Sequence, residues 1–288
     1  MSPTRTAAST DAAGQARPRP PRSPHPRTLL FAVAGLLVTA PALAQLGQLA
    51  QLAPTDRTVV RLDSGLRSAS HTFADTGVFP ANLEQGRFRT DYDLKDGRVV
   101  DGGASFLLWR NLAIGLDVSN YRSIHHAQIH SELPHPFFFD APRASTAQVG
   151  GLERRDLGIH IRALWMSQVA DWLVVSVSAG PSVMTARQDL VSAVQHTEVG
   201  FPFDEIVFAG QTVSAESETT AGLNAGIDID SFFLHRLPFL RNVEALRHVG
   251  LGLLVRYVRA TAALQSAGEP IELDLGGVQI TSGVRFRF

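Results

Sequence analysis

The sequence contains no cysteine among its 288 residues. This absence excludes disulfides, thiolate zinc sites, a cysteine nucleophile and the lipid-modified cysteine of a bacterial lipoprotein. Lysine is nearly absent as well, because Lys95 is the only one and arginine supplies the other basic side chains. The formal net charge is −1, and no basic stripe indicates a nucleic-acid partner. The composition therefore predicts no nucleic-acid binding.

Long hydrophobic runs are missing beyond residue 56, but the N-terminus has the pattern of an export signal. A basic stretch rich in proline precedes an apolar run that begins at Thr28, and the helix-breaking Pro41 ends that run. This order is typical of secretory signal peptides. The predicted cleavage motif consists of Ala42 and Ala44, and Gln45 is the predicted first residue of the mature chain.

An uncleaved membrane anchor is the alternative for this segment. Pro41 and several glutamines interrupt the run before it reaches the roughly 20 apolar residues that a spanning helix needs. We therefore expect an N-terminal extension and signal peptide at 1–44, a short periplasmic lead at 45–56 and an outer-membrane β-barrel at 57–288. Removing the first part leaves 21 basic and 26 acidic residues, so the mature domain has no overall polybasic attraction to anionic lipid.

Alternation of apolar and polar residues is the main pattern of the remaining chain. In residues 112–121, for example, every second residue is apolar and the residues between them are small or polar. Such alternation over about ten residues predicts β-strands. The predicted strands are 57–66, 98–109, 112–121, 153–165, 172–185, 219–230, 248–259 and 274–288, of which the first two have the weakest pattern.

The polar face of these strands decides between a soluble sandwich and a membrane barrel. A soluble sandwich would bury the apolar face and keep the polar face wet. Here the polar face combines small residues with charges of both signs, which suits the narrow lumen of an eight-stranded barrel where buried charges pair. The predicted lumen charge network consists of Arg154, Asp156, His160, Arg162, Asp228, Asp230, Arg256, Arg285 and Arg287.

The connectors between the predicted strands support the membrane barrel. Short connectors at 109–111 and 166–171 alternate with long ones at 122–152 and 186–218. Outer-membrane barrels alternate brief periplasmic turns with longer external loops in this way. The connector at 231–247 has no explanation in this scheme. Residues 86–94 could add a hairpin, so a barrel of ten strands is the alternative to eight.

The C-terminal sequence GVQITSGVRFRF resembles the assembly signal of bacterial outer-membrane β-barrels. The residues that carry this resemblance share one face, and they are Val278, Ile280, Val284, Phe286 and Phe288. The segments WRNLAIGLDVS and LPHPFFFDAPR are similar to parts of the outer membrane protein β-barrel domain family, which comprises small, largely uncharacterised barrels of the OmpA and OmpX types. This resemblance covers roughly 57–288. It implies an antiparallel transmembrane barrel in contact with outer-membrane lipid, lipopolysaccharide and the barrel assembly machinery, and it implies no activity.

Four histidines in one predicted loop, His125, His126, His130 and His135, raise the question of a metal site. Imidazole binds zinc, copper and nickel, but this spacing matches no fixed set of ligands. We expect solvated loop histidines, and we predict neither a metal nor a cofactor.

The sequence thus predicts a non-catalytic outer-membrane β-barrel with a structural or surface-interaction role. A narrow, porin-like pore or a small-ligand barrel is the alternative. An outer-membrane lipid-modifying enzyme is the third hypothesis, although no serine stands in a motif that would mark a nucleophile beside His160. For the apolar loop segments around Phe137 and Phe201 we expect packing on each other above the rim. Insertion at the lipopolysaccharide boundary is the alternative, and adhesion or partner binding, which exposed aromatic patches can support, is the third. The external ligand or partner is not predicted.

Overall fold

The structure is a computed structural model that describes residues 56–68, 71–238, 243–266, 268 and 270–288. The predicted signal peptide and its cleavage motif lie outside the described residues, as does nearly all of the periplasmic lead. The strands are β1 (Thr58–Ser68), β2 (His71–Ala81), β3 (Glu84–Leu94), β4 (Gly97–Trp109), β5 (Leu112–Leu133), β6 (Arg143–Ala170), β7 (Leu173–Glu198), β8 (Ile206–Ser231), β9 (Val249–Leu264), β10 (Ile271–Asp274) and β11 (Gly277–Arg287).

Eight of these strands form a closed antiparallel ring in the order β1, β4, β5, β6, β7, β8, β9 and β11. The ring closes where β11 pairs with β1 along Val59–Ser68. Closure satisfies the backbone groups that would otherwise form two open sheet edges. Each ring strand overlaps one of the predicted segments, so the prediction of an all-β antiparallel barrel of about eight strands is confirmed.

The outer face of the ring is apolar and the inner face is polar. In β5, the outward Leu112, Ile114 and Leu116 are 41%, 47% and 55% exposed, whereas the intervening Asp117 is only 1% exposed. A continuous exposed apolar band of this kind is stable where lipid covers it. The band therefore marks the part of the barrel that lies in the membrane.

Most residues of the long external connectors continue the strands instead of forming loops. The turn between β5 and β6 is limited to 134–142, and that between β7 and β8 to 199–205. The hairpin of β2 and β3 occupies the first external connector and pairs with the outer half of β5. This hairpin includes residues 86–94, the segment for which the sequence suggested an additional hairpin as an alternative. An open sheet thus extends the barrel beyond the membrane.

The connectors at the inner end are short, with one exception at 232–248. That exception is the connector that the sequence left unexplained, and it contains two short 3₁₀ helices at Leu234–Arg236 and Glu244–Arg247. In the part of the chain that the structure describes, no helix is long and apolar enough to cross a bilayer.

Candidate functional site

A balanced set of ionised side chains fills the interior of the ring. Six arginines and six aspartates point inward, and none is more than 5% exposed. Buried charges are tolerated only when opposite charges and hydrogen bonds compensate for the lost hydration. The set, which we call the lumen network, consists of Arg61, Asp63, Arg67, Asp101, Asp117, Arg154, Asp156, Arg162, Asp228, Asp230, Arg256 and Arg285.

Asp117 lies at the centre of the lumen network. Its carboxylate accepts hydrogen bonds from Nε of Arg61 and from Nη2 of Arg162, each at 3.1 Å. Nη2 of Arg256 donates to the same carboxylate at 2.7 Å. Since these arginines belong to β1, β6 and β9, one carboxylate on β5 connects four strands. Asp101 on β4 reinforces the cluster by accepting from Arg61 at 2.9 Å and from Arg256 at 2.7 Å.

Arg285 connects the closing strand β11 to its neighbours. Its Nη2 donates to Asp228 at 3.0 Å and its Nε donates to Asp230 at 2.5 Å. It also pairs with Asp63 of β1, directly across the seam where the ring closes. Charge pairing and backbone closure therefore coincide at this seam.

A smaller cluster forms the outer part of the lumen network. Asp156 pairs with Arg67 and accepts two hydrogen bonds from Arg154, at 3.0 and 3.1 Å. The guanidinium carbon of Arg67 lies 3.6 Å from the ring centroid of Tyr121, and that of Arg154 lies 5.9 Å from it. Aromatic faces attract cations at such distances, so Tyr121 helps to balance two arginines against one aspartate.

Apolar side chains close the interior on both sides of the charged layer. On the inner side, buried Ala113, Leu164, Met166 and Val174 form one cluster. On the outer side, a larger cluster joins the barrel to its extension, and it includes Phe88, Tyr92, Ile129, Met184, Leu190, Val258 and Leu273. The lumen thus contains a charged layer between two apolar layers.

The structure places most of the predicted lumen residues in this interior. Arg154, Asp156, Arg162, Asp228, Asp230, Arg256 and Arg285 belong to the lumen network, and His160 is buried beside it. Arg287 lies instead at the inner rim, 3.3 Å from Asp56 and with its guanidinium 4.3 Å from the ring centre of Phe232.

The sequence prediction omitted five members of the network: Arg61, Asp63, Arg67, Asp101 and Asp117. Asp117 carried a usable signal, because it falls on the polar side of the clearest predicted strand.

His160 bonds to hydroxyl groups. Its Nε2 lies 2.9 Å from Oγ of Ser119 and its Nδ1 lies 2.8 Å from Oγ of Ser182. The exposed fractions of the three side chains are 0%, 3% and 2%, and within the described ranges neither ring nitrogen contacts a carboxylate. A hydrolytic serine needs a base, an acid that orients the base, and access for substrate. The geometry therefore fits a structural hydrogen-bond chain.

The four histidines of the predicted loop lie on β5 and in the turn after it. His126 and His130 are exposed, but His125 and His135 are 0% and 5% exposed, so the expectation of solvated histidines is wrong for these two. Burial beyond the membrane band, together with the charge of Arg154, lowers the pKa of His125 to about 4. Among the described residues, no three His, Cys, Asp or Glu side chains are grouped closely enough to hold a metal.

The two outermost turns form an aromatic cluster, which we call the aromatic tip. It consists of Phe137, Phe138, Phe139, Phe201 and Phe203. The rings of Phe137 and Phe203 have centroids 5.8 Å apart, so the cluster joins the turn at 134–142 to the turn at 199–205.

Two buried side chains hold the aromatic tip in place. Arg143 donates to the carbonyl oxygens of Phe203 and Pro134, each at 2.8 Å, and pairs with Glu198 at 2.7 Å. His135 accepts hydrogen bonds at Nδ1 from the backbone N–H groups of both Phe137 and Phe138. The tip is thus fixed by hydrogen bonds from beneath while its rings face outward.

The predicted assembly face lies on the outside of β11. Val278, Ile280, Phe286 and Phe288 are 42%, 53%, 39% and 68% exposed, and Val284 is half-buried. The N–H of Phe288 donates to the carbonyl of Thr58 at 2.9 Å, which extends the β1–β11 pairing. Recognition of this face by the assembly machinery stays a prediction, as does cleavage at Ala42, Ala44 and Gln45.

A comparison with protein-family models finds no match, and a comparison with curated protein sequences finds none either. Among solved structures, the outer membrane protein OprG from Pseudomonas aeruginosa is similar with 8% identity and a TM-score of 0.44, over 83% of this chain and 98% of that one. Neisserial surface protein A has 14% identity and a TM-score of 0.40, over 80% and 97%. The outer membrane protease OmpT from Escherichia coli has 8% identity and a TM-score of 0.35, over 82% and 98%. The fold assignment rests on the closed strand register and the apolar band described above.

Proposed function

We propose that this protein, an eight-stranded β-barrel of the bacterial outer membrane, is a non-catalytic barrel that presents a surface-contact site outside the cell. In this proposal a signal peptide directs export, and the barrel assembly machinery inserts the domain. The barrel anchors a rigid sheet extension, and the extension carries the aromatic tip. The external partner is a surface with apolar character.

The exposure of the aromatic tip is the observation that carries this proposal. Phe137, Phe138, Phe139 and Phe201 are 63%, 61%, 71% and 85% exposed. Contiguous exposed apolar patches on proteins commonly mark interaction sites, and aromatic rings contribute strongly to interfaces. Arg143 and His135 fix the two turns beforehand, which reduces the entropy lost when a partner binds.

Replacing the four exposed phenylalanines of the tip with serine is expected to abolish apolar surface contact. Outer-membrane vesicles from a strain with short lipopolysaccharide provide the protein in its membrane without covering sugars. Retention of these vesicles on octyl-coated beads, relative to hydroxyl-coated beads, should fall at least about tenfold, because each ring that becomes buried contributes on the order of 1 kcal/mol or more.

The control replaces Leu83 and Val78, which are 97% and 62% exposed on the β2–β3 hairpin. This hairpin touches the turn at 134–142 through Asn82 and Glu84, but neither control residue belongs to the aromatic cluster. This variant should be retained like the unmodified protein. Equal loss of retention in the two variants would show that contact is not localised at the tip, and unchanged retention of the tip variant would contradict the proposed function.

The filled lumen supports a sealed barrel over the alternative of a narrow pore. The lumen network spans the ring, and an apolar cluster lies on either side of it. Ions crossing such a lumen would have to separate paired charges and then pass apolar layers, and both steps are unfavourable.

We expect no single-channel current from the purified protein in planar bilayers. Insertion should be checked separately, by protease protection of the barrel in the same lipid. Reproducible conductance steps from the inserted, folded protein would favour the pore over the sealed barrel.

The same burial supports the non-catalytic part of the proposal. The best arrangement for acyl transfer is the Ser119–His160–Ser182 chain, and its members are at most 3% exposed. A lipid substrate would reach this site only through a gap in the barrel wall, where every strand is paired.

A further inference from the structure

Four exposed arginines form a continuous row across four neighbouring strands at the outer end of the barrel. Arg98 of β4 pairs in register with Arg122 of β5, and Arg122 pairs with Arg155 of β6. Arg155 pairs in turn with Arg187 of β7. All four side chains are exposed and their neighbours along each strand are more buried, so the arginines point away from the barrel. We call this set the arginine row.

The arginine row lies at the outer edge of the apolar band. In each strand, an exposed apolar residue on the membrane side lies two or four positions from the arginine. These apolar residues are Val100, Val118, Leu157 and Val183, which are 52%, 47%, 48% and 50% exposed. On β5 a further exposed apolar residue, Ile124, lies two positions beyond Arg122. A cation at this level lies at the headgroup region, since its aliphatic stem can follow the apolar surface while the guanidinium reaches outward.

Four like charges in register are unfavourable unless anions separate them. Opposed side chains on paired strands have Cβ atoms roughly 5 Å apart, and like charges in such pairs destabilise the sheet. Glu153 relieves part of this repulsion by pairing with Arg122, at 2.5 Å, and with Arg155. Among the described residues, Arg98 and Arg187 form no ion pair.

The part of the chain that the structure describes provides too few carboxylates to neutralise the row. A surface cleft of about 150 Å³ lies between β6 and β7, and Glu153, Arg155, Arg187 and Asp189 line it. One oxygen of Asp189 accepts the backbone N–H of Glu153 at 2.9 Å. Four arginines thus face two carboxylates, and the row keeps a net positive charge.

We propose that the arginine row binds the phosphorylated headgroup of an acylated outer-leaflet lipid, of the lipopolysaccharide type. Guanidinium groups form paired hydrogen bonds with phosphate oxygens, and they favour planar, bidentate contacts. The lipid source follows from position, because the acyl chains of the same molecule would cover the apolar band directly below. The proposal is independent of the aromatic tip, which lies on a different surface.

Substituting glutamine for Arg98 and Arg187 tests the proposal without breaking an ion pair of the protein. The folded protein in phosphatidylcholine nanodiscs is titrated with purified short-chain lipopolysaccharide, and binding is followed by thermophoresis. The R98Q/R187Q variant should bind roughly 30-fold more weakly, since each surface arginine contributes about 1 kcal/mol to binding of anionic lipid. Its melting temperature without lipopolysaccharide should be unchanged or higher, because like charges have been removed.

The matched control is R87Q/R89Q, which makes the same change in charge on the exposed β3 strand, away from the apolar band. It should bind lipopolysaccharide within about twofold of the unmodified protein, because neither arginine belongs to the arginine row. The variant should also fold normally, because exposed ion pairs such as those of Arg87 and Arg89 contribute little to stability. Dephosphorylated lipopolysaccharide should bind as weakly to the unmodified protein as the intact lipid binds to R98Q/R187Q.

Three results would overturn the proposal. The first is unchanged affinity of the R98Q/R187Q variant, and the second is an equal loss in the R87Q/R89Q control. The third is displacement of the lipid by equimolar inorganic phosphate, which would identify a site for a free anion. Failure of the aromatic-tip experiment would leave these results unaffected.

Discussion

Replacing Asp117 with asparagine is expected to lower the free energy of unfolding of the barrel by about 3–5 kcal/mol, the range for removing one partner from a buried ionic cluster. Asparagine keeps the volume of the side chain but removes its charge. Arg61, Arg162 and Arg256 would then share a neutral amide. The amide also turns an NH₂ group toward guanidinium donors, so at least one donor loses its acceptor.

The neighbouring lumen residue Arg162 should have a smaller effect. In R162L, Asp117 keeps Arg61 and Arg256, and Asp228 keeps Arg61 and Arg285. Ile161 faces outward on the same strand and is 48% exposed, so I161V should change stability least.

Urea unfolding in lipid vesicles, read by the shift of the folded band on unheated gels, ranks these three variants. The expected order of destabilisation is D117N, then R162L, then I161V. An I161V loss equal to that of D117N would mean that the inner and outer faces are wrongly assigned. Equal losses in D117N and R162L would mean that Asp117 is not the centre of the lumen network.

The barrel could be predicted from the sequence because lipid and lumen impose opposite requirements on alternate residues. Leu112, Ile114 and Leu116 alternate with small or charged residues, and this pattern repeats in each predicted strand. Arginine and aspartate on the polar side then distinguish a packed lumen from a wet surface. Most members of the predicted charge network were identified by this reasoning.

The extension was missed because the same alternation continues with its polarity inverted. Within the membrane, outward residues of β5 such as Leu116 are apolar and inward Asp117 is charged. Beyond the membrane, inward Ile129 is buried and apolar while outward His130 is exposed and polar. The strand itself is uninterrupted, but water has replaced lipid on its outer side. A reading that follows one apolar face therefore ends each strand at the membrane boundary.

Interactions between different strands could not be predicted from the pattern of a single strand. The arginine row consists of residues 98, 122, 155 and 187, which are far apart in sequence. They become neighbours only through the register of three strand pairs. The acidic balance of the predicted mature domain even argued against an anion site. Arg67 likewise lay just beyond the predicted end of its strand, so its pairing with Asp156 depended on one further residue of β1.

Substituting valine for Gly283 is expected to prevent closure of the barrel. Gly283 lies on β11 opposite Asp63 of β1, at the seam where the ring closes. A Cβ atom at this position would overlap the carbonyl oxygen of Leu62 and would lie 2.7 Å from Cα of Asp63. Both are backbone atoms, so the strands must separate to relieve the contact.

The separation would have two consequences at the same seam. Backbone pairs between β1 and β11 would open within the membrane, where lipid cannot replace their hydrogen bonds. Displacement of Asp63 would also remove a carboxylate from Arg285. Overpacking alone costs about 1–3 kcal/mol, and the loss of hydrogen bonds and of a buried ion pair adds to this.

Gly102 provides the matched control because it flanks β1 on the opposite side, where it pairs with Leu62. The atoms nearest to a Cβ added at Gly102 would be 3.8 Å away, and the position faces lipid. Refolding into vesicles, measured as the fraction of protein that runs as the compact form on unheated gels, should be several-fold lower for G283V and unchanged for G102V. Normal refolding of G283V would contradict closure between β1 and β11 in this register. A comparable defect in G102V would mean that valine disturbs β1 on either side, and the special closeness of the seam would not be supported.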